Sequence, residues 1–309
     1  MPHGILLVGQ PGAGQFELGL WLAARILCRG ERSRPCGDCA DCQLLRAGSH
    51  PDFRRVGVLP DKKDISIEQL RSLSEALSLR SYRGGAKVAL VEPAEAMNIK
   101  SFNALLKTLE EPSDDTFLLL ATSRSDRIPR TIGSRCMRLR LPLPETSKAL
   151  SWLAASGSRP GWKGLLRLAN GAPFLALDYA EAGLEALDRE MQEALMAAGG
   201  GRGDLVGYAE AWAKNTPAAR LSWLESWLTR NLKEASLPGD LVNNNRLRWL
   251  RPPGLETKIR TGYELLDQLR DARRLVTSPL NTVLLFEGLL VALAAWLDRA
   301  GGKVQESID

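Results

Sequence analysis

Along the first 140 positions, apolar residues come in short unbroken runs separated by longer stretches in which they recur every third or fourth residue. Residues 4–9, 86–92 and 117–122 are read as strands on such runs, and 137–141 as a candidate fourth strand. A run of four or five apolar residues without alternation suits a strand buried on both faces. Between the runs the spacing changes to that of a helix. Residues 15–29 predict one helix, Ile67, Leu70, Leu73 and Leu77 mark a second within 65–79, and Ile99, Phe102, Leu105, Leu106 and Leu109 mark a third. Strands alternating with helices predict a parallel α/β sheet.

The pattern changes after Pro142 and Pro144, where strand signals stop. Residues 150–153 and 165–180 predict a small helical unit. Further amphipathic segments at 205–213, 218–232, 257–276 and 282–297 predict a larger one, with Gly199, Gly200 and Gly201 breaking the region before them. Three parts are therefore expected, over residues 1–142, 143–183 and 184–309. Trp152, Trp162, Trp212, Trp223, Trp227, Trp249 and Trp296 all fall after residue 142, with only Trp21 before it. Packing between helices is the expected role of the seven.

Composition narrows the setting. The 309 residues allow two or three domains. Apolar residues at 44% and charged residues at 25% are ordinary for a folded protein. A net charge of +5 permits contact with nucleic acid without demanding it, and no dense basic run with interleaved aromatics is present. The start has no basic region, long apolar core and small-residue cleavage site, so no signal peptide is expected. The longest apolar tract, 283–297, is interrupted by Glu287 and falls short of the roughly 20 residues a membrane helix needs. A soluble, reducing, cytoplasmic setting follows, in which cysteines serve as thiols or metal ligands rather than disulfides.

Gly9-Gln10-Pro11-Gly12-Ala13-Gly14-Gln15-Phe16 stands where a strand hands over to a helix, with the glycine content of a phosphate loop. A working loop reads G-x-x-x-x-G-K-S/T. Its backbone N–H groups cradle phosphate, its lysine neutralises the outer phosphates and its hydroxyl holds magnesium. Here Gln15 replaces the lysine and Phe16 the hydroxyl. The strand that should end in Asp-Glu ends Leu90-Val91-Glu92-Pro93. Glu92 can mimic the first acid, but Pro93 offers no base. No ATP is expected to bind productively, although anion binding at the helix N-terminus stays open.

Cys28, Cys36, Cys39 and Cys42 follow the spacing C-x7-C-x2-C-x2-C within a module of residues 28–45. Four thiolates at about 2.3 Å make a closed tetrahedral site with no open position, so a structural Zn2+ is the expected occupant. A redox Cys-x-x-Cys would have two cysteines at a helix start rather than this series. Cys136 stands apart. His50, in Ser49-His50-Pro51-Asp52, could replace one ligand, but the set is complete without it and a turn histidine is expected.

Residues 101–112, Ser-Phe-Asn-Ala-Leu-Leu-Lys-Thr-Leu-Glu-Glu-Pro, strongly resemble the bacterial clamp-loader AAA+ family. Ser134-Arg135-Cys136 matches that family's second hallmark and the cysteine cluster a third. The resemblance covers nearly the whole chain, most tightly residues 4–141. It implies an α/β AAA+ P-loop domain with a parallel sheet, a small helical lid and an all-α collar that joins a ring-like assembly. Residues 168–173 are similar to the sensor 2 helix, with Phe174 where active subunits carry arginine. Ser278-Pro279-Leu280-Asn281 is similar to the start of the last collar helix. The family also has a segment ahead of its first strand that reaches the adenine. Here the strand starts at Gly4, so the start is either misplaced or truncated.

With intact motifs the chain would resemble the gamma/tau ATPase type. With both motifs degraded and Ser-Arg-Cys kept, it resembles the non-hydrolysing type found in DNA polymerase III. Its implied partners are the gamma/tau and delta subunits, the sliding clamp and primed DNA. Arg135 would then be an arginine finger that reaches a neighbour's γ-phosphate, while Arg130, Arg138 and Arg140 are read as surface charges. Two rivals stand beside this reading. One is an autonomous gamma/tau-like ATPase, opposed by Gln15, Phe16 and Pro93. The other is a zinc-dependent DNA-binding module.

Overall fold

The computed structural model describes residues 2–30, 34–157, 161–201, 203–236, 255–276 and 281–298. Trp249 and Ser278-Pro279-Leu280 lie outside the described residues. The chain divides into two compact units, one of residues 1–157 with 171–177 and one of residues 158–170 with 178–309.

The first unit is built on five parallel strands, β1 (Gly4–Val8), β2 (Phe53–Val56), β3 (Lys87–Val91), β4 (Thr116–Thr122) and β5 (Met137–Arg140), in the order β2-β3-β4-β1-β5. The apolar runs are explained by what covers them. Successive side chains of a strand point to opposite faces. Leu6, Ala89, Val91, Leu118 and Leu120 join one buried cluster, with Leu70, Leu73 and Leu77 of α3 (Ile67–Ser78) and Phe102, Leu105 and Leu109 of α4 (Ile99–Glu110). Ile5, Leu7, Val88, Leu90, Leu119 and Ala121 join a second, with Ala23 and Leu27 of α1 (Gln15–Leu27). Both faces are thus closed, and no strand residue of the inner three can be polar without cost.

Local chemistry sets the helix starts. Ser66 and Gln69 form a reciprocal capping box at α3, with Ser66 Oγ accepting from the Gln69 N–H at 3.3 Å and Gln69 Oε1 from the Ser66 N–H at 3.0 Å. Asn98 Oδ1 accepts from the Ser101 N–H at 3.0 Å to start α4. Two elements escape the hydrophobic pattern. Strand β2 contains the exposed Arg54 and Arg55, because as an edge strand it pairs only with β3. Helix α2 (Ala40–Arg46) is seven residues long and starts at the cysteine cluster rather than at an apolar stripe. Two more helices complete this region, α5 (Arg130–Gly133) and α6 (Thr146–Ser156).

After Arg140 no described residue lies in a strand. The expected helical stretch over 165–180 is two helices, α7 (Trp162–Leu168) and α8 (Pro173–Glu181). They are separated by Asn170 and Gly171, whose φ values of 55° and 84° no helix can continue through. The second unit continues with α9 (Leu187–Gly199), α10 (Leu205–Lys214), α11 (Pro217–Ser236), α12 (Leu255–Leu275) and α13 (Thr282–Asp298). Its tryptophans pack between helices. Trp212 meets Phe286 edge-on at 5.8 Å, Trp223 stacks on Trp227 at 6.2 Å, and Trp227 meets Trp296 at 6.2 Å. Asp188, buried here, accepts from the Trp223 indole N–H at 2.8 Å and from Arg167 at 2.6 Å. Trp152, in the first unit, is 41% exposed but also packs between helices, its ring 4.9 Å from that of Phe174. No described helix is long and apolar enough to cross a membrane.

Leu6 is 0% exposed in β1, between β4 and β5. Leu6→Ala is predicted to destabilise the first unit by about 2–5 kcal/mol, read from the urea midpoint at constant slope.

Candidate functional site

In open parallel α/β sheets, ligands bind at the carboxyl ends of the strands, where the strand order reverses. The loop after β1 lies there, since β1 sits between β4 and β5. Gly12 and Gly14 take φ values of 71° and 102°, which a side chain would strain. Gly14 is also the N-cap of α1. The sequence therefore forms a true strand–loop–helix turn over Gly9, Gly12, Gly14, Gln15 and Phe16.

The side chains of that turn are satisfied internally. Gln15 is 8% exposed, and its amide N–H groups donate to the Gln10 carbonyl at 2.9 Å and the Thr122 carbonyl at 3.4 Å. Phe16 lies beneath the Arg55 guanidinium, 4.2 Å from the ring centre. Arg55 also lies 3.6 Å from the Glu92 carboxylate. Burial pushes the Glu92 carboxyl up, and the Arg55 charge opposes that. Phe174, at the start of α8, covers Gly14, and its N–H donates to the Gly12 carbonyl at 3.1 Å. Arg55 was not legible in the sequence, because an arginine on an edge strand has no motif to mark it; the sensor 2 resemblance marked Phe174, but not its packing on Gly14.

The cysteines gather where α1 ends and α2 begins. Cys28 is the C-cap of α1 and Cys39 the N-cap of α2. The four sulfurs lie within 4.8 Å of one another, with Cys28–Cys36 at 3.5 Å and Cys28–Cys39 and Cys36–Cys42 at 3.9 Å. A tetrahedral metal at about 2.3 Å from each sulfur requires edges of about 3.8 Å, so the set fits a metal ion. Backbone N–H groups already point at the sulfurs, from Cys36 to Cys28, Cys39 to Cys36 and Cys42 to Cys39, at 3.4–3.5 Å. The Cys42 N–H holds the Cys39 thiol down at about 6, whereas burial pushes Cys42 up to about 12. Cys136 is elsewhere, buried in the first apolar cluster just before β5, and burial raises its thiol to about 11.

His50 is 3% exposed and outside the cysteine set. Its Nδ1 accepts from the Asp52 N–H at 3.1 Å, and its Nε2 lies 3.2 Å from Asp41, itself buried beside Cys42. Asp41 also pairs with Arg83 and, at 3.7 Å, with Arg29. Asp52 accepts from Ser81 Oγ at 2.9 Å and from the N–H groups of Tyr82 and Arg83 at 2.7 and 2.9 Å. Burial raises the Asp52 carboxyl, but those amide bonds outweigh it and the net shift is downward. His50 is thus a buried fastener between the cysteine module and the sheet, as its turn position only half suggested.

Arg135 follows α5 and is 36% exposed at its side chain. It pairs with Glu110 of α4 at 2.6 Å and donates to the Thr131 carbonyl at 2.9 Å. Arg130, Arg138 and Arg140 are exposed.

A parallel sheet carrying a glycine loop after β1, with an acid at the end of β3, defines a P-loop protein of the AAA+ class. The family model described as "DNA polymerase III, delta subunit" matches residues 1–145. The chain is 34% identical to DNA polymerase III subunit delta' of Pseudomonas aeruginosa, over 95% of this chain and 92% of that one. It is 36% identical to subunit delta' of Haemophilus influenzae over 59% and 56% of the two chains, and 33% identical to that of Escherichia coli over 75% and 70%. The chain belongs to the delta' subunit family of DNA polymerase III, within the bacterial clamp-loader AAA+ proteins.

Asp41→Asn weakens the tie between cysteine module and sheet while leaving the thiols in place. It is predicted to cost about 1–3 kcal/mol, less than a fully buried pair because the arginines reach water. Faster amide exchange over residues 40–46 is the measurement that checks it.

Proposed function

We propose that this chain is a non-hydrolysing subunit of the replicative clamp loader. It would help ATP-dependent loading of the sliding clamp onto primed DNA by lending Arg135 to a neighbouring ATPase subunit. The single observation that carries the reading is an asymmetry within one unit. The chain's own nucleotide site has Gln15, Phe16 and Pro93 where lysine, hydroxyl and base belong, while Arg135 lies at the surface on the Ser-Arg-Cys turn. Arginine is always charged and its planar fork suits phosphate oxygens. The Glu110 pair is exposed, so a phosphate can compete for the guanidinium at little cost.

The parts follow from that role. An AAA+ domain over 1–142, a lid over 143–183 and a collar over 184–309 would place Arg135 at a subunit boundary in a cytoplasmic assembly with gamma/tau and delta subunits. Cys28, Cys36, Cys39 and Cys42 would hold a structural Zn2+, which when bound crosslinks the end of α1 to the start of α2. The same three replacements argue against an autonomous ATPase.

One zinc per chain is predicted by elemental analysis of chelator-free protein. Cys39→Ser should lose it and loosen residues 28–45, since metal binding and local folding are coupled; a variant with full zinc content contradicts the assignment. In a complex rebuilt with gamma/tau, delta, clamp and primed DNA, Arg135→Ala should assemble normally. It should lower turnover at the one site this subunit faces by about 10³–10⁵-fold. Total ATPase would fall in part and clamp loading severely, with Arg135→Lys rescuing poorly. Normal loading by the alanine variant rejects the finger role, and failure to assemble assigns Arg135 a structural one.

A further inference from the structure

We propose that the loop of residues 9–16 is a binding site for part of this same chain: Phe174 and Leu175 fill the seat of the nucleotide phosphates, and Arg55 fills that of the metal ion. The inference deepens the non-hydrolysing reading and rests on it, because it adds a cause for silence that is independent of the missing catalytic groups.

The covering contact is close. A side-chain carbon placed on Gly12 would lie 2.3 Å from Leu175 Cβ and 2.5 Å from the Leu175 nitrogen. One on Gly14 would lie 2.7 Å from the Phe174 ring. These glycines are therefore required by the start of α8 as well as by their positive φ values of 71° and 102°. A bound phosphate oxygen must come within about 2.9 Å of backbone N–H groups in such a loop. In this proposal the apolar carbon packed against Gly12 and Gly14 takes the room that approach needs. Two further contacts hold it. The Phe174 N–H donates to the Gly12 carbonyl at 3.1 Å, and the ring meets that of Trp152 at 4.9 Å and 55°. This gives the exposed Trp152 its role: it backs the ring that covers the loop.

The metal seat is filled by charge. In a working site the side chains at positions 16 and 92 meet at magnesium. Here the Arg55 guanidinium lies 4.2 Å from the Phe16 ring and 3.6 Å from Glu92 Oε2. A permanent cation on the protein thus takes the place between those two positions. Gln15 completes the substitution. Its amide donates to the Gln10 and Thr122 carbonyls, so this side chain is turned to the protein rather than to a ligand.

The test repairs the chemistry with and without the covering residues, in the full zinc-loaded chain, with Mg·ATP and a fluorescent ATP analogue as probes. Gln15→Lys/Phe16→Ser should still bind the analogue at least about 100-fold more weakly than the same variant carrying Phe174→Ala, Leu175→Gly and Arg55→Ala, the ratio for a seat open about 1% of the time. Equal affinities overturn the proposal. So does a folded, zinc-loaded fivefold variant that fails to bind. Wild-type chain that binds Mg·ATP without hydrolysing it overturns the covering while leaving the non-hydrolysing reading intact. If the repaired variants do not fold, a double-mutant cycle decides. Gly14→Ala should lower the melting temperature less in a Phe174→Ala background than in the natural one, by about 2 °C or more. The backbone strain of a side chain at Gly14 is common to both backgrounds and cancels. Additive losses overturn the contact.

Discussion

Burial of β1 on both of its faces is the constraint from which the rest of the first unit follows. Leu6 enters one apolar cluster and Ile5 and Leu7 the other. With β4 and β5 on its two edges, the strand has one free direction, out of its carboxyl end. The glycine loop must form there, and α1 must start at Gln15 and run back along the sheet. Because α1 has that start and that length, Cys28 falls at its end and the cysteine module is placed. The same sheet positions α4 and the Ser-Arg-Cys turn, which Glu110 and Arg135 join.

A fold of this kind can keep its shape whatever stands at its nucleotide loop, because shape and chemistry are carried by different residues. The apolar runs that close the sheet contain none of the groups that would hold a nucleotide. Replacing a lysine, a hydroxyl and a base leaves polar and charged atoms without partners, and burying them unpaired is costly. This chain resolves that cost locally. Gln15 bonds to two carbonyls, Glu92 faces Arg55, and Arg55 lies on Phe16. Gln15, Phe16 and Glu92 are thus each matched by a neighbour within the protein.

Much of this was legible in the residues. Continuous apolar runs gave β1, β3 and β4, and helical spacing gave α1, α3 and α4, because two-sided burial and one-sided burial leave different periods. The four cysteines were legible from spacing alone. What was missed has physical reasons. Strand β2 borders one neighbour and carries Arg54 and Arg55, so its pattern is not that of a buried strand. Helix α2 depends on Cys39 as its cap rather than on an apolar face. His50 was half legible: its turn was marked by Pro51, but its burial depends on Asp41 and Asp52, which only the fold brings to it. Arg55 meets the loop from an edge strand that no local motif marks, whereas the sensor 2 resemblance marked Phe174 without its packing on Gly14. The break at Asn170-Gly171 was hidden because residues on either side share one helical spacing.

On the proposed reading this chain has a nucleotide fold without a nucleotide reaction. Steady-state ATP hydrolysis by the isolated chain is the decisive measurement, with a variant altered within residues 12–14 as the control for contaminating activity. Turnover equal to the buffer blank, unchanged by the control substitution, is expected. Turnover that survives rigorous purification and disappears on that substitution would contradict it.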